Sequence, residues 1–182
     1  VRHVFMLSGG NCMHMVDSLS KNKNIKFITC HHEQACAMAT EAYAKFNCDL
    51  GVSLVTSGPG STNAITGVVG AYQDSVPCIF ISGQAKSKQT VQSSGIAGLR
   101  QFGVQEVDIV PIVESITKYA VTIDDPLKIK YHLEKALYYA KTGRPGPVWL
   151  DVPLYIQARE INPEELEGFS PSEVTVDYKT EP

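Results

Sequence analysis

Short apolar runs alternate with longer helical patterns along the first 150 residues or so of the chain. The apolar runs are rich in β-branched residues and recur at the spacing of βαβ units, so they predict parallel strands. Strands are predicted at residues 4–7, 25–29, 51–56, 78–82, 117–122 and 147–152. Such strands are apolar on both faces, so we expect helices on both sides of the sheet. The fold class is therefore α/β, a doubly wound, mostly parallel six-stranded sheet.

Helical periodicity fills four of the segments between these strands. Helices are predicted at residues 12–20, 33–46, 61–73 and 126–141. The second has an apolar face at helical spacing, which we expect to lie on the sheet. That face consists of Ala35, Met38, Ala39, Ala42 and Phe46. The fourth begins after an Asp cap with a first-turn proline and ends before Gly143, which are typical helix boundaries.

The periodicity is lost near the end of the chain, where glutamate and proline become frequent. We therefore expect one domain over residues 1–157 and a linker or tail over residues 158–182. At the other end, a strand begins almost at once and no Met precedes it. From this start we expect an excised fragment or a processed chain.

The charge balance and the cysteine pattern exclude several classes of function. The 182 residues include 16 Lys and Arg against 19 Asp and Glu, a net charge of -3, so no surplus exists for neutralising nucleic-acid phosphates. No apolar run is long enough to span a membrane and the start does not resemble a signal peptide, so we expect a cytoplasmic protein. The five cysteines form no CxxC pair, and we predict neither disulfides nor a metal site.

Polar and glycine-rich segments follow the first four predicted strands, at residues 8–11, 31–34, 57–63 and 83–84. Ligands of open α/β sheets bind beyond the carboxyl ends of the strands, so these segments are the candidate site. The Gly58 to Gly60 turn could cradle a phosphate at a helix start or could be a tight turn alone. Glu33 stands where a strand meets an Ala-rich helix, and two roles are open for it: a helix-start charge or a catalytic acid.

Several of these segments occur together in one recognisable order. The motifs are Ser8-Gly9-Gly10, His32-Glu33-Gln34-Ala35, the run from Thr56 to Asn63, Gln105-Glu106, Ile116-Thr117-Lys118 and the run from Gly143 to Pro153. In this order they resemble the thiamine-diphosphate-dependent enzymes, and most closely the acetolactate synthase group. The resemblance covers residues 4–157 and implies the N-terminal pyrimidine-binding domain, with the thiamine-diphosphate-binding fold.

The resemblance also implies roles for individual residues. The glutamate that matches Glu33 hydrogen-bonds N1′ of the cofactor's aminopyrimidine and promotes loss of the thiazolium C2 proton, so Glu33 is the expected catalytic residue. Gly9, Pro59 and Asn63 match residues that place the pyrimidine. Two further matches are expected near the substrate, Gln105 and Lys118. Val104 stands where the family has an aromatic residue, and this departure bears on substrate identity.

The activity implied is decarboxylation of a 2-keto acid followed by carboligation. In this family a Gly-Asp-Gly motif on a diphosphate-binding domain holds Mg²⁺ and the diphosphate, and this sequence has no Gly-Asp-Gly. We therefore expect an isolated chain that is inactive, that works with the diphosphate domain of another subunit and that forms a homodimer or higher oligomer. These motifs do not indicate whether FAD is used.

Two alternatives stay open beside this interpretation. In the first, the chain is a separate pyrimidine-domain subunit of a two-chain decarboxylase of the sulfopyruvate or phosphonopyruvate type. In the second, it is a nonenzymatic binding or assembly module. Glu33 within its motif argues against the nonenzymatic module.

Overall fold

The computed structural model describes residues 1–174, so the predicted tail positions 175–182 lie outside the described residues. Six strands form one sheet in the order β2-β1-β3-β4-β6-β5, and every pairing is parallel. The strands are β1 (His3–Met6), β2 (Lys26–Thr29), β3 (Gly51–Val55), β4 (Cys78–Gln84), β5 (Ala120–Thr122) and β6 (Pro147–Pro153). The chain moves from β1 outward to β2, then crosses back to β3 and β4. All six predicted strands and the doubly wound class are confirmed.

Helices occupy the connections between the strands. They are α1 (Met13–Lys21), α2 (Glu33–Asn47), α3 (Pro59–Asn63), α4 (Ile65–Gln73), α5 (Val91–Ser94), α6 (Val110–Val113), α7 (Ile129–Lys141) and α8 (Leu154–Gln157). The single helix predicted at 61–73 is two helices that meet at Ala64, and the first of them begins earlier, with Pro59 at its first position. The predicted start at Pro126 is a 3-10 turn, Pro126–Lys128, ahead of α7. The short helices α5, α6 and α8 were not predicted.

Two large apolar clusters, one on each face of the sheet, form most of the core, and a smaller third cluster surrounds Ile123, Val152 and Ile156. On one face, α2 and α4 cover Val55, Phe80 and Trp149, and the rings of Phe80 and Trp149 stack with 5.7 Å between their centroids. On the other face, α1 and α7 cover residues such as Leu54 and Leu150. Helices on both faces of the sheet are thus confirmed.

Two expectations about burial were wrong. The face of α2 that lies on the sheet carries Glu33, Cys36, Ala37, Thr40 and Ala44, and the predicted apolar face points outward instead. On that outward face Met38 is 45 % exposed and Phe46 is 89 % exposed. In addition, the edge strand β2 is exposed along its whole length, whereas the other edge strand, β5, is half-buried.

The first part of the predicted tail packs on α7. Leu166 is buried, the ring of Phe169 lies 5.7 Å from that of Tyr131, and the backbone N–H of Phe169 donates to Glu134 at 2.8 Å. The domain boundary near residue 157 stays a prediction. Within residues 1–174, none of the helices combines the length and the apolar character that a membrane span requires.

Candidate active site at the carboxyl edge of the sheet

The segments that follow β1, β2 and β3 meet at one edge of the sheet. Parallel pairing of β1 with both β2 and β3 places the ends of these strands side by side. The structure therefore brings together four of the predicted site residues, Gly9, Glu33, Pro59 and Asn63, with Gln105 approaching from a later loop. Among residues 1–174 no group of three or more His, Cys, Asp or Glu side chains could hold a metal ion.

Glu33 is the first residue of α2, and it is 8 % exposed. His32 caps the helix by accepting the backbone N–H of Gln34 at 3.1 Å. The positive end of the helix dipole favours a negative charge on Glu33 at this position. Asn63, the last residue of α3, donates from Nδ2 to Glu33 Oε2 at 3.0 Å. The site thus holds a buried carboxylate with one oxygen fixed by a neutral donor, which suits hydrogen bonding to a ring nitrogen.

Two glycines allow the loops after β1 and β3 to pack closely on Thr56, and one of them, Gly60, also lies against the Glu33 carboxylate. A Cβ on Gly60 would lie 3.2 Å from Glu33 Oε1 and 2.7 Å from Thr56 Cγ2. A Cβ on Gly9 would lie 2.5 Å from Thr56 Cβ. Any side chain at either position would collide with Thr56, and one at Gly60 would also crowd Glu33. The loops after β1 and β3 are therefore packed closely on each other beside Glu33, and only glycine fits at these two positions.

Gly58 and Pro59 make the turn that leads into α3. Gly58 has a φ of 61°, a conformation that favours glycine, and Pro59 takes the first helical position. The carbonyl oxygen of Gln105 lies where a Cβ of Gly58 would stand, at 2.2 Å from it. Gln105 itself has a φ of 54°. The backbone of Gln105 therefore packs directly on the Gly58 turn, and this contact places the predicted residue Gln105 at the site.

Asn11 is a site residue whose role the sequence did not reveal. Its Nδ2 donates to Ser57 Oγ at 2.5 Å and to the carbonyl of Val104 at 3.1 Å. Its carbonyl accepts from Gln157 Nε2 at 2.7 Å. Asn11 therefore joins the loops after β1 and β3 to the loop that carries Gln105. Its position directly after Ser8-Gly9-Gly10, at a strand end, was the available signal.

Lys118 is not brought to this site. It precedes β5, and its backbone N–H donates to Pro147 at the start of β6, so it lies at the amino edge of the sheet. Its Nζ donates to the carbonyls of Thr142 at 2.5 Å and Arg144 at 2.6 Å, just beyond the end of α7. Within this chain Lys118 is therefore far from Glu33 along the strand direction, and a substrate-proximal role for it stays a prediction.

A second buried polar group lies between the later strands. Asp151 in β6 is 1 % exposed and accepts from Ser82 Oγ at 2.5 Å and from Gln84 Nε2 at 2.9 Å. Trp149 Nε1 donates to the same Ser82 oxygen at 2.9 Å. Burial raises the pKa of Asp151 to about 7, with a smaller contribution from the charge of Asp108. The hydrogen bonds from Ser82 and Gln84 act in the opposite direction and lower this pKa, but burial outweighs them. This network links β4 to β6 beside the candidate site.

The sequence of the chain is similar to one protein family and to several known enzymes. Residues 1–112 match the family described as thiamine pyrophosphate enzyme, N-terminal TPP binding domain. The chain is similar to the acetolactate synthase large subunit of Cyanidium caldarium, with 37% identity over 98% of the chain and 30% of the relative. It is also similar to that of Haemophilus influenzae (40% identity) and to the isozyme 3 large subunit of Escherichia coli (37%), each over 84% of the chain and 25% of the relative. The chain spans between a quarter and a third of the length of these relatives.

Proposed function

Because the chain belongs to the thiamine pyrophosphate enzymes and carries their N-terminal TPP-binding domain, we propose that the carboxyl edge of the sheet holds the aminopyrimidine ring of thiamine diphosphate. Gly9, Pro59 and Asn63 would place the ring and Glu33 would hydrogen-bond its N1′. The observation that carries this proposal is the buried Glu33 carboxylate with Asn63 on one oxygen. Gly9 and Gly60 support it, because glycine at these positions lets the backbone approach a ligand closely.

The residues of this chain would hold and share one proton. Asn63 fixes Glu33 Oε2, which leaves Oε1 for the ring nitrogen, and Gly60 keeps that oxygen free of a side chain. The helix start stabilises the carboxylate when the proton sits on the ring. When bound, thiamine diphosphate supplies the carbon nucleophile that adds to a 2-keto acid. The chain itself contributes placement and one carboxyl group.

The activity proposed for the whole protein is that of an acetolactate synthase-like enzyme, which decarboxylates a 2-keto acid and then ligates the product. The names of the relatives support this choice. Mg²⁺ and the diphosphate would be held by a domain with a Gly-Asp-Gly motif, which this sequence lacks. Calorimetric titration of this chain alone with thiamine diphosphate and Mg²⁺ should accordingly show millimolar affinity or none, and micromolar affinity would contradict this division of the site.

The outward face of α2 supports a partner surface beside the site. Four exposed residues line this face at helical spacing, Ala35, Met38, Ala42 and Phe46, and Glu33 begins the same helix. We propose that the diphosphate-binding domain of another subunit covers this face and so completes the site. Met38→Lys should weaken assembly of the native protein in analytical ultracentrifugation, whereas Asn47→Lys, at the exposed end of the same helix, should not. Unchanged assembly of Met38→Lys would contradict the proposal that another subunit covers the outward face of α2.

Asn63→Ala tests the function itself. The hydrogen bond to a charged carboxylate is worth about 1.5–3 kcal/mol, so its loss should lower kcat/KM for pyruvate roughly 10- to 100-fold in the complete native protein. Asn47→Ala is the matched control, because Asn47 is the last residue of α2 as Asn63 is of α3, and its side chain donates to a backbone carbonyl outside the site, that of Tyr43. Release of CO₂ from pyruvate is the readout. If Asn63→Ala matches the control, the proposed geometry of the site is wrong.

A further inference from the structure

The loop from residue 86 to residue 106, here called the Gln105 loop, has little apolar anchoring. Ile96, Phe102 and Val104 are 60 %, 54 % and 79 % exposed. Gly95 and Gly98 have positive φ and open space around them. Hydrogen bonds to two side chains, Glu106 and Asn11, tie separate parts of this loop to each other and to the candidate site.

The first is Glu106, which is 8 % exposed. Its Oε2 accepts the backbone N–H groups of Phe102 at 3.0 Å and Gly103 at 3.1 Å, and its Oε1 accepts the backbone N–H of Val91 at the start of α5. Three N–H donors on one carboxylate are charge-assisted bonds, which are stronger than neutral ones. Glu106 thus closes the Gln105 loop on itself, immediately after Gln105.

The second is Asn11, which ties the closed loop to the site. Its Nδ2 bridges Ser57 Oγ, in the turn after β3, and the carbonyl of Val104, next to Gln105. The Gln105 carbonyl then packs directly on Gly58. Gln105 keeps a left-handed φ of 54°, which a residue with a side chain adopts at a cost. Contacts on both sides are what hold Gln105 in this conformation.

We propose that Glu106 and Asn11 are positioning residues that hold Gln105 against the Gly58 turn, in the place where it would contact the 2-keto acid. The contact of Gln105 with substrate rests on the proposed function. The clamp itself rests only on the hydrogen bonds described above. Glu106 acts by its charge and its two oxygens, because an amide at this position offers one acceptor oxygen and turns an NH₂ group toward backbone donors.

Limited trypsin digestion tests the clamp without reference to activity. Arg100 is an exposed cleavage site within the Gln105 loop. In the complete native protein, Glu106→Gln and Asn11→Ala should each speed cleavage after Arg100 by about 10-fold, since the loop opens more often when these bonds are lost. Glu114→Gln is the control for charge removal at an exposed glutamate nearby, and it should leave the cleavage rate unchanged.

Steady-state kinetics then tests positioning. In both variants the rise in KM for the 2-keto acid should exceed the fall in kcat by about 10-fold. In Glu106→Gln the affinity for thiamine diphosphate should stay within about 2-fold, because Glu106 contacts none of the residues proposed to place the ring. Cleavage and KM both at the control values would overturn the proposal. Faster cleavage in a protein that releases no CO₂ from any 2-keto acid would leave the clamp standing and refute the proposed function instead.

Discussion

Asp151→Asn should remove a large pH dependence from the stability of the fold. In the folded chain the pKa of Asp151 is raised from 3.8 to about 7, chiefly because burial disfavours the charged form. A folded-state pKa above the unfolded one means that the folded chain holds a proton which the unfolded chain has already released. The contribution of Asp151 to stability is therefore fully present below pH 4 and is lost as the pH rises to about 7.

The size of this effect follows from the pKa difference. At about 1.4 kcal/mol for each pKa unit, the change from 3.8 to about 7 corresponds to about 4 kcal/mol of unfolding free energy between pH 4 and pH 8. Asn carries no titrating proton; its Oδ1 can accept from Gln84 Nε2, and its NH₂ group can donate to Ser82 Oγ, because a hydroxyl accepts as well as donates. Its stability relative to the parent should rise by about that amount over the same range.

Urea unfolding of the parent and the variant at a series of pH values measures this directly, with the slope against urea concentration as a check on two-state behaviour. Asp17→Asn is the control, since Asp17 is an exposed carboxylate paired with Lys21, and its curve should keep the dependence of the parent. Equal pH dependence in Asp151→Asn and the parent would refute the reasoning, because Asp151 would then be charged in the folded chain.

Two further predictions concern thiols and glycines. Native labelling with iodoacetamide should modify Cys30 and Cys48, which are half-exposed and exposed, well before the three buried thiols, and labelling of all five at one rate would contradict the burial. Burial raises the pKa of each of these three thiols, Cys12, Cys36 and Cys78. Gly9→Ala should lower the unfolding free energy by about 1–3 kcal/mol, because its Cβ would collide with Thr56. Gly10→Ala, with nothing within 4 Å, should stay within about 0.5 kcal/mol, and equal losses in thermal or urea unfolding would contradict the close fit.

The strands and the class of fold could be predicted because the strands are mostly apolar in sequence, and the four inner ones, β1, β3, β4 and β6, are largely buried in the structure. The orientation of α2 could not. Its outward residues Met38 and Phe46 are more apolar than Glu33 and Thr40 on its buried face, so hydrophobic periodicity selects the wrong side. A helix face that a partner covers is apolar and is exposed in the single chain. Hydrophobic periodicity does not distinguish such an interface face from a face that packs on the core.

Some residues of the candidate site could be predicted from the sequence and others could not. Glu33 and Asn63 could be predicted from motif order and from their places after strands, although their mutual hydrogen bond spans 30 residues of sequence. Asn11 acts on Val104 across 93 residues, and no local pattern reports such a contact. Lys118 precedes its strand, so strand direction alone would have placed it at the opposite edge from Glu33.

The most direct measurement of the central claim is the exchange of the thiazolium C2 proton of thiamine diphosphate for deuterium in the complete native protein, followed by NMR after rapid quenching. Glu33→Gln keeps the size of the side chain but cannot share a proton with N1′. We predict that it slows exchange by about 10²- to 10⁴-fold, while Glu114→Gln stays within a few-fold of the parent. Exchange in Glu33→Gln within a few-fold of the parent would contradict the assignment of Glu33 and of the site built around it.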